Sequence, residues 1–398
     1  MIDLNKIKRF NDKNKTVLIR FDLNVPLDSA ELHKSERIVR IKKSVSKLIS
    51  LNSKIIILSH VGRPKGKVNK DLSLQQLVGP LKKALNRDIV FISDCTGEAV
   101  KKTISLINTD KIILLENCRF YKEEEENDIK FAKSLANLAD VYINDAFACS
   151  HRAHASIAAI TEFLPSYCGE LLYDELLNLN KIINNPDQPA ITIMGGSKIS
   201  TKISIIKNLA KKMSAIAICG GMANSFIHYQ GNNIGNSLAE KNVNDVIKDI
   251  FDFAKKNNCK IILPKDVTVA LKLESDAATD LRTIDKVKNE EMILDIGPLS
   301  INELKNEIKL SKTVFWNGPP GVFEVKPFDK STIEIANYIA ELTKTAEIQS
   351  FAGGGDTVAA IEMAGVKDKF TYISTGGGAL LELLEGKQLP GLVSQNIL

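Results

Sequence analysis

Long apolar runs are missing from this sequence. Nothing approaches the stretch of about eighteen apolar residues that would read as a membrane span, and the opening MIDLNKIKRF has no apolar signal core. The chain is therefore expected to be soluble and cytoplasmic, with no membrane partner. Cysteine is sparse and scattered. The six residues Cys95, Cys118, Cys149, Cys168, Cys219 and Cys259 form no CxxC pair and no metal-ligand spacing, so they read as reduced packing thiols. Aromatic residues interleaved with basic ones are also lacking: only Phe21, Phe120 and Phe147 lie near the basic motifs. With a net charge of just +5, that argues against a nucleic-acid partner. Neither standard nucleotide fingerprint is present. GRPKGKV (Gly62 to Val68) is one residue short of a Walker A loop and lacks its Ser or Thr. Gly353 and Gly355 are followed by Val358 where a dinucleotide motif needs its third glycine.

What is there is globular. A chain of 398 residues, 44% hydrophobic and 25% charged, exceeds what one core supports and predicts two domains. Short β-branched runs alternate with helical patterns. Strands are expected at Thr16 to Arg20, Lys54 to Ser59, Asp88 to Ile92, Lys111 to Leu115 and Val141 to Asn144. In the second half they are expected at Ala190 to Met194, Ala215 to Cys219, Lys260 to Leu263, Met292 to Ile296, Thr313 to Trp316, Ile348 to Phe351 and Phe370 to Ser374. Runs such as KIIILSH suit parallel strands buried on both faces, which gives an α/β fold. The helical pattern Glu170 to Ile183 leads into the turn-rich NNPDQP, where a hinge is expected.

Ligands of open α/β sheets gather beyond the carboxyl ends of the strands. In the first half those ends read RFDLNVP (Arg20, Asp22, Asn24), HVGRP (His60, Arg63), ENCRF (Asn117, Arg119) and NDAFACSHRAHAS (His151, Arg152, His154), with Arg37 in SERIVR. One surface arginine is ordinarily a solvated charge. Five at successive strand ends predict a small, multiply anionic substrate, because a guanidinium pairs bidentately with carboxylate and phosphate. The second-half ends are glycine-rich: GGSKISTK with Lys198 and Lys202, CGGMA, LDIGP, WNGPPGVFE, FAGGGDT and STGGGA. In Phe351 to Ala360, FAGGGDTVAA, a strand over Glu347 to Phe351 runs through three glycines into a helix, with Asp356 at the expected N-cap. Glycines and a helix N-terminus favour phosphate, and an acid there is reconciled with phosphate by an intervening cation. Glycine triplets also end strands for steric reasons alone, and an Asp opening a helix is commonly a cap.

A general base is missing. Asp22 is the one acid that reads as buried among the basic strand ends, and KEEEEND (Lys122 to Asp128) reads as a solvated face. Histidines among arginines are expected to lose basicity. Phosphoryl transfer to an acceptor already anionic needs positioning and charge stabilisation, and no base.

Taken together, RFDLNVP, HVGRPKG, NDAF…HRAHAS, GGSKISTK, NGPPGVFE, GGGDT and TGGGALLELLEGKQLPGL resemble the phosphoglycerate kinase family across essentially the whole chain. The resemblance implies two Rossmann-like domains, each a parallel sheet flanked by helices, joined by a hinge helix. The expected division is 1–169 with about 380–398 for 3-phosphoglycerate, 170–185 as interdomain helix and hinge, and 186–379 for MgATP or MgADP. It implies reversible transfer from 1,3-bisphosphoglycerate to MgADP in glycolysis, in a cleft closed by hinge motion of a monomer. By matching position the substrate residues are Arg20, Asp22, Leu23, Asn24, Arg37, His60, Val61, Gly62, Arg63, Arg119 and Arg152, with His151 and His154 as a supporting basic patch. The nucleotide residues are Lys198, Lys202, Gly297, Glu324 (to ribose), Gly354, Gly355, Asp356 and Thr357. Asp356 is expected to hold Mg²⁺, and Arg37 and Lys202 to act on the transferring phosphoryl group. The chain departs from the family pattern at Ala148-Cys149-Ser150, at Pro320 and at the Tyr173-Asp174 pair. Two alternatives stay open: another kinase forming acyl phosphates on a different carboxylate, and a nucleic-acid binder using the basic edge.

Overall fold

The computed structural model describes residues 2–29 and 31–398. Contacts divide the chain into two compact units, Met1–Leu177 with Gln388–Leu398, and Asn178–Lys387. The boundary falls inside the helix Glu170–Ile183, which has the bounds its apolar spacing predicts. Residues 380–387 group with the second unit, whereas the sequence reading put them in the returning segment. The helix Gly378–Leu384 is held there by Asn208, whose Nδ2 donates to the Leu384 carbonyl at 3.3 Å. The return to the first unit starts at Gln388. There Gly391 N–H donates to Ser150 O at 2.9 Å, and Gln395 Nε2 donates to Tyr167 O at 3.0 Å.

The first unit is built on β1 (Thr16–Phe21), β2 (Lys54–Leu58), β3 (Ile89–Ile92), β4 (Ile112–Leu115), β5 (Val141–Asp145) and β6 (Ser166–Cys168). They form one sheet in the order β3-β4-β2-β1-β5-β6, parallel throughout. Its strands are apolar at consecutive positions because both faces are covered. Val17, Ile19, Ile55 and Ile57 enter one core cluster, and Leu18, Ile56 and Leu58 enter the other. That alternation fixes the direction of each residue beyond the strand end.

The second unit contains β7 (Ala190–Met194), β8 (Ala215–Ile218), β9 (Lys260–Ile262), β10 (Asp266–Ala270), β11 (Asp280–Thr283), β12 (Met292–Ile296), β13 (Thr313–Asn317), β14 (Gln349–Gly353) and β15 (Tyr372–Ser374). Six of these form a parallel sheet, β15-β14-β13-β7-β8-β9, which in chain order is the 3-2-1-4-5-6 arrangement of nucleotide-binding sheets. The other three form an antiparallel sheet, β11-β10-β12. This corrects the sequence reading, which assigned Met292 to Ile296 to the parallel set and had no strands at β6, β10 and β11. Of the missed strands, β6 has 3 residues and β11 (DLRT) is almost wholly exposed, so no apolar run marks either.

Candidate functional site

In both parallel sheets the chain reverses direction of winding beside one central strand, next to β1 in the first unit and next to β7 in the second. Crevices form at such switch points. In the first unit the loops after β1, β2, β4 and β5 meet there. Arg20 extends the face of Leu18 and is fully buried. Its Nε donates to Ser156 Oγ at 3.0 Å, its Nη1 to the Phe21 carbonyl and its Nη2 to His60 Nδ1 at 3.0 Å. All three guanidinium nitrogens of Arg20 are therefore bonded to protein groups.

Burial holds His60 well below the usual imidazole range, and the charges of Arg20, Arg119 and Arg37 push it further the same way. A neutral ring whose Nδ1 accepts a hydrogen bond carries its proton on Nε2, which makes Nε2–H its donor. His154 is likewise held neutral, pushed down to about 3 by burial and then by Arg119, Arg20 and Arg152.

Arg37, on the short helix Glu36–Arg40, donates to Asp22 Oδ2 and to the Asn24 carbonyl at 3.1 Å. Asn24 in turn accepts from the Gly62 amide at 2.9 Å, which ties the β1 loop to the β2 loop. Leu23 and Val61 are buried in the adjacent core and set those loops in place. Gly62 has φ +64, a backbone conformation that residues with a side chain rarely adopt, and an added Cβ would also crowd a Leu72 methyl carbon at 2.7 Å. Arg119 is buried, with Nη1 on the Gly62 carbonyl at 3.2 Å, while its buried Nε makes no hydrogen bond and has only the long 3.6 Å ion pair with Glu125 Oε1. A guanidinium left partly unsatisfied beside a crevice is suited to an incoming anion. Arg63 and Arg152 are exposed, and His151 is half-buried.

Two acids were missed in this half. Asp145, at the end of β5, is buried and pushed up to about 7 by burial, and it accepts from Ser44 Oγ and the Leu172 amide. Glu124 is fully buried, which corrects the reading of KEEEEND as a solvated face. Asp22, expected to be the buried acid, is only half-buried. The oxygens of Asp145 and Glu124 are taken up by protein donors, so neither serves as a base. Ligand atoms of Asp22, His60 and Cys149 lie within 4.8 Å of one another. A cation is nevertheless disfavoured there by Arg20, Arg37 and Arg119. The Cys149 thiol is pushed up to about 11 by burial and Asp22, so it stays protonated.

The second unit builds its site from backbone. After β7 and β13 the chains touch: Gly195 N–H donates to the Asn317 carbonyl at 3.0 Å, and a Cβ on Gly195 would lie 2.2 Å from the Pro319 carbonyl oxygen. Asn317 is buried, donates to the Gly353 carbonyl at 2.6 Å and accepts from Lys202 Nζ. Lys202 is lowered from its usual range by burial, an effect opposed by the charges of Asp356 and Glu385. Thr357 is buried and accepts from the Gly318 amide at 2.7 Å.

The helix Gly355–Met363 is capped by Gly354 at φ +99, so Asp356 is its second residue and not its N-cap. Its side chain is exposed beside the unsatisfied amides of the first turn. Asp356 and Glu324 rim a cavity of about 310 Å³ whose walls include Gly220, Gly221, Val322 and Pro320. Pro320 fits this loop without disturbance, its carbonyl accepting from the Gly220 amide at 3.1 Å. Lys198 is exposed. Gly297 is not part of the cavity wall. A Cβ there would lie 2.3 Å from the Asp266 carboxylate, which caps the helix Pro298–Leu310 by accepting from Leu299 N and Ser300 N.

Comparison with known proteins agrees along the whole chain. The phosphoglycerate kinase family model matches residues 7–387. The phosphoglycerate kinase of Wolbachia pipientis subsp. Culex pipiens is 47% identical over 396 residues, covering 99% of each chain. That of Bartonella bacilliformis is 44% identical over 392 residues, covering 98% of each. Among solved structures, phosphoglycerate kinase from Coxiella burnetii superposes with a TM-score of 0.88 at 38% identity, covering 97% of both chains. The enzyme from Pyrococcus horikoshii OT3 gives 0.76 at 27% identity, covering 100% of this chain and 99% of that one. The chain belongs to the phosphoglycerate kinase family.

Proposed function

We propose that this chain catalyses reversible phosphoryl transfer between the acyl phosphate of 1,3-bisphosphoglycerate and MgADP, yielding 3-phosphoglycerate and MgATP. The place of this reaction is glycolysis, in the cytoplasm, and the working form is a monomer. The observation that carries the reading is the guanidinium edge around the β1/β5 crevice, where Arg20, Arg119 and Arg37 gather about His60 while the oxygens of Glu124 and Asp145 are engaged by protein donors. An anionic acceptor suits such a site, since a carboxylate needs no base to accept a phosphoryl group.

Arg63, Arg119, Arg152 and the His60 Nε2–H bind the phosphate and carboxylate of the glycerate, with His151 and His154 lining the basic patch. Asp22 and Asn24 accept from its hydroxyl and aim Arg37. Arg37 and Lys202 neutralise charge on the transferring group, an electrostatic contribution that is large in a dry site. The nucleotide lies along Gly354, Gly355 and the first turn of the helix, with Thr357 fixing the loop, Glu324 on the ribose and Lys198 on the phosphates. Asp356 fits a Mg²⁺ role: it is a hard oxygen donor, exposed at a helix N-terminus where phosphate collects. Bound there, the ion supplies charge neutralisation on the nucleotide phosphates. The helix Glu170–Ile183 is the proposed hinge, whose motion brings donor and acceptor together and excludes water.

The test is acyl-phosphate formation from MgATP with 3-phosphoglycerate, acetate or aspartate as acceptor. Turnover with 3-phosphoglycerate alone is expected. Preference for another carboxylate, or silence from folded protein, overturns the reading.

A further inference from the structure

Glu124 sits at the far end of a chain of hydrogen bonds that ends on the imidazole facing the basic crevice. It is fully buried on the short helix Lys122–Glu125, inside an acidic run that would otherwise be surface. Its Oε2 accepts from the Ser156 amide at 2.9 Å, and its Oε1 accepts from Ser156 Oγ at 2.6 Å. Ser156 Oγ also accepts from Arg20 Nε at 3.0 Å, and Arg20 Nη2 reaches His60 Nδ1 at 3.0 Å. A hydroxyl can accept from Arg20 while donating to a carboxylate, so Ser156 has its direction of donation set by both neighbours.

Two buried charges of opposite sign are thus joined through one hydroxyl. Arg20, fully buried, has no carboxylate directly on its guanidinium among the described residues, and Glu124 is the acid nearest to it along this chain. An isolated buried guanidinium is costly, so its counter-charge decides whether it holds its place. Arg20 can only donate. Whatever fixes Arg20 against Nδ1 therefore fixes the His60 proton on Nε2 and the plane of the ring.

We propose that Glu124 is a positioning residue for substrate binding, acting through Ser156 and Arg20 to lock His60 in the tautomer that presents Nε2–H to an anionic oxygen. This rests on the reading of the β1/β5 crevice as the glycerate site. Such a lock affects the first substrate and not the nucleotide, since Arg20, Ser156 and Glu124 lie wholly in the first unit.

The test is Glu124→Gln in the full-length chain, followed by ¹⁵N NMR of the His60 ring and by steady-state kinetics with both substrates. Glutamine keeps an acceptor for Ser156 and removes the charge. Wild-type protein should show Nε2–H with an unprotonated Nδ1 across the neutral range. In Glu124→Gln the ring should become a tautomer mixture, and kcat/KM for 3-phosphoglycerate should fall about 10- to 100-fold through KM, the nucleotide KM being unchanged. Glu124→Asp, which retains the charge, should recover part of the loss. Should Glu124→Gln fail to fold, Ser156→Ala removes only the bridging hydroxyl and should shift the tautomer in the same direction. A single unchanged tautomer with unchanged KM in either folded variant overturns the proposal. The ring spectrum reads the relay without turnover, so a wild-type enzyme inactive on 3-phosphoglycerate contradicts the functional reading and leaves the spectroscopic result standing on its own.

Discussion

The two proposed sites are built for anions by opposite means. The first concentrates charged side chains at its strand ends, held by the buried Arg20–Ser156 bond and by more exposed bonds from Arg37 to Asp22 and from the Gly62 amide to Asn24. The second offers backbone at glycines and a helix N-terminus, with Lys202 a half-buried cation held there by its bond to Asn317. A side-chain site is broken by truncation. A backbone site is broken by adding atoms where only hydrogen fits. The contrast matches what each unit is proposed to bind, since a compact, doubly charged acid rewards bidentate guanidinium pairing and an extended nucleotide rewards a shaped surface with a few point charges.

The strongest way to test the contrast is to truncate on each side. Arg37→Ala should lower kcat on the order of 10²-fold or more while leaving nucleotide affinity nearly unchanged, as read by steady-state kinetics and nucleotide titration. A variant that keeps wild-type kcat removes Arg37 from the chemistry. Lys202→Ala should produce a similar loss of kcat, accompanied by weaker nucleotide binding and an unaltered affinity for 3-phosphoglycerate. Loss of affinity for both ligands in either variant would blur the division between the units.

Smaller effects probe the backbone side. Gly354→Ala places a Cβ 2.7 Å from Asn317 Nδ2 at φ +99, where L-residues are strained. It should cost about 1–3 kcal/mol by urea unfolding, and kcat should fall because Asn317 holds Lys202. Gly355→Ala, next in sequence, meets nothing within 4 Å and should be nearly neutral for stability. Equal costs at the two positions would contradict the close-approach argument.

Asp295 gives the most specific signal. It is buried, accepts from Ser331 and the Ile296 amide, and is pushed up to about 7 by burial. Between about 4, the ordinary carboxylate range, and about 7, the unfolded chain releases this proton and the folded chain keeps it. The unfolded state then binds fewer protons, so this residue makes stability fall as pH rises through that window, by up to about 1.4 kcal/mol per pH unit. Above it the contribution is constant. Urea midpoints of Asp295→Asn should therefore fall less with pH than those of the wild type, and identical slopes would remove the assignment.

What was legible in the sequence was what local pattern encodes. Strands such as KIIIL are apolar at every position after the first because helices cover both faces, and that pattern survives without tertiary knowledge. The strand ends followed, and with them the arginines and glycines. Glu124 was not legible. Its burial depends on Ser156, 32 residues away, and nothing in EEEE distinguishes the second acid from its neighbours. Asp356 as N-cap was a reasonable local expectation that lost to Gly354, whose positive φ lets the strand turn into the helix two residues earlier than a cap at Asp356 would. Gly297 is expected at the nucleotide site from the family resemblance, and the Asp266 carboxylate against it accounts for its lack of a side chain by packing. The small sheet β11-β10-β12 was invisible because β11 carries almost no buried surface and β10 follows β9 after a short turn.

The most direct measurement of the division of labour is hydrogen exchange of the wild-type chain with 3-phosphoglycerate and MgADP added separately. The account predicts that 3-phosphoglycerate slows exchange in the loops after β1, β2, β4 and β5, and that MgADP slows it after β7, β13 and β14. Protection of the same loops by both ligands, or protection of the glycine loops by 3-phosphoglycerate, would contradict it.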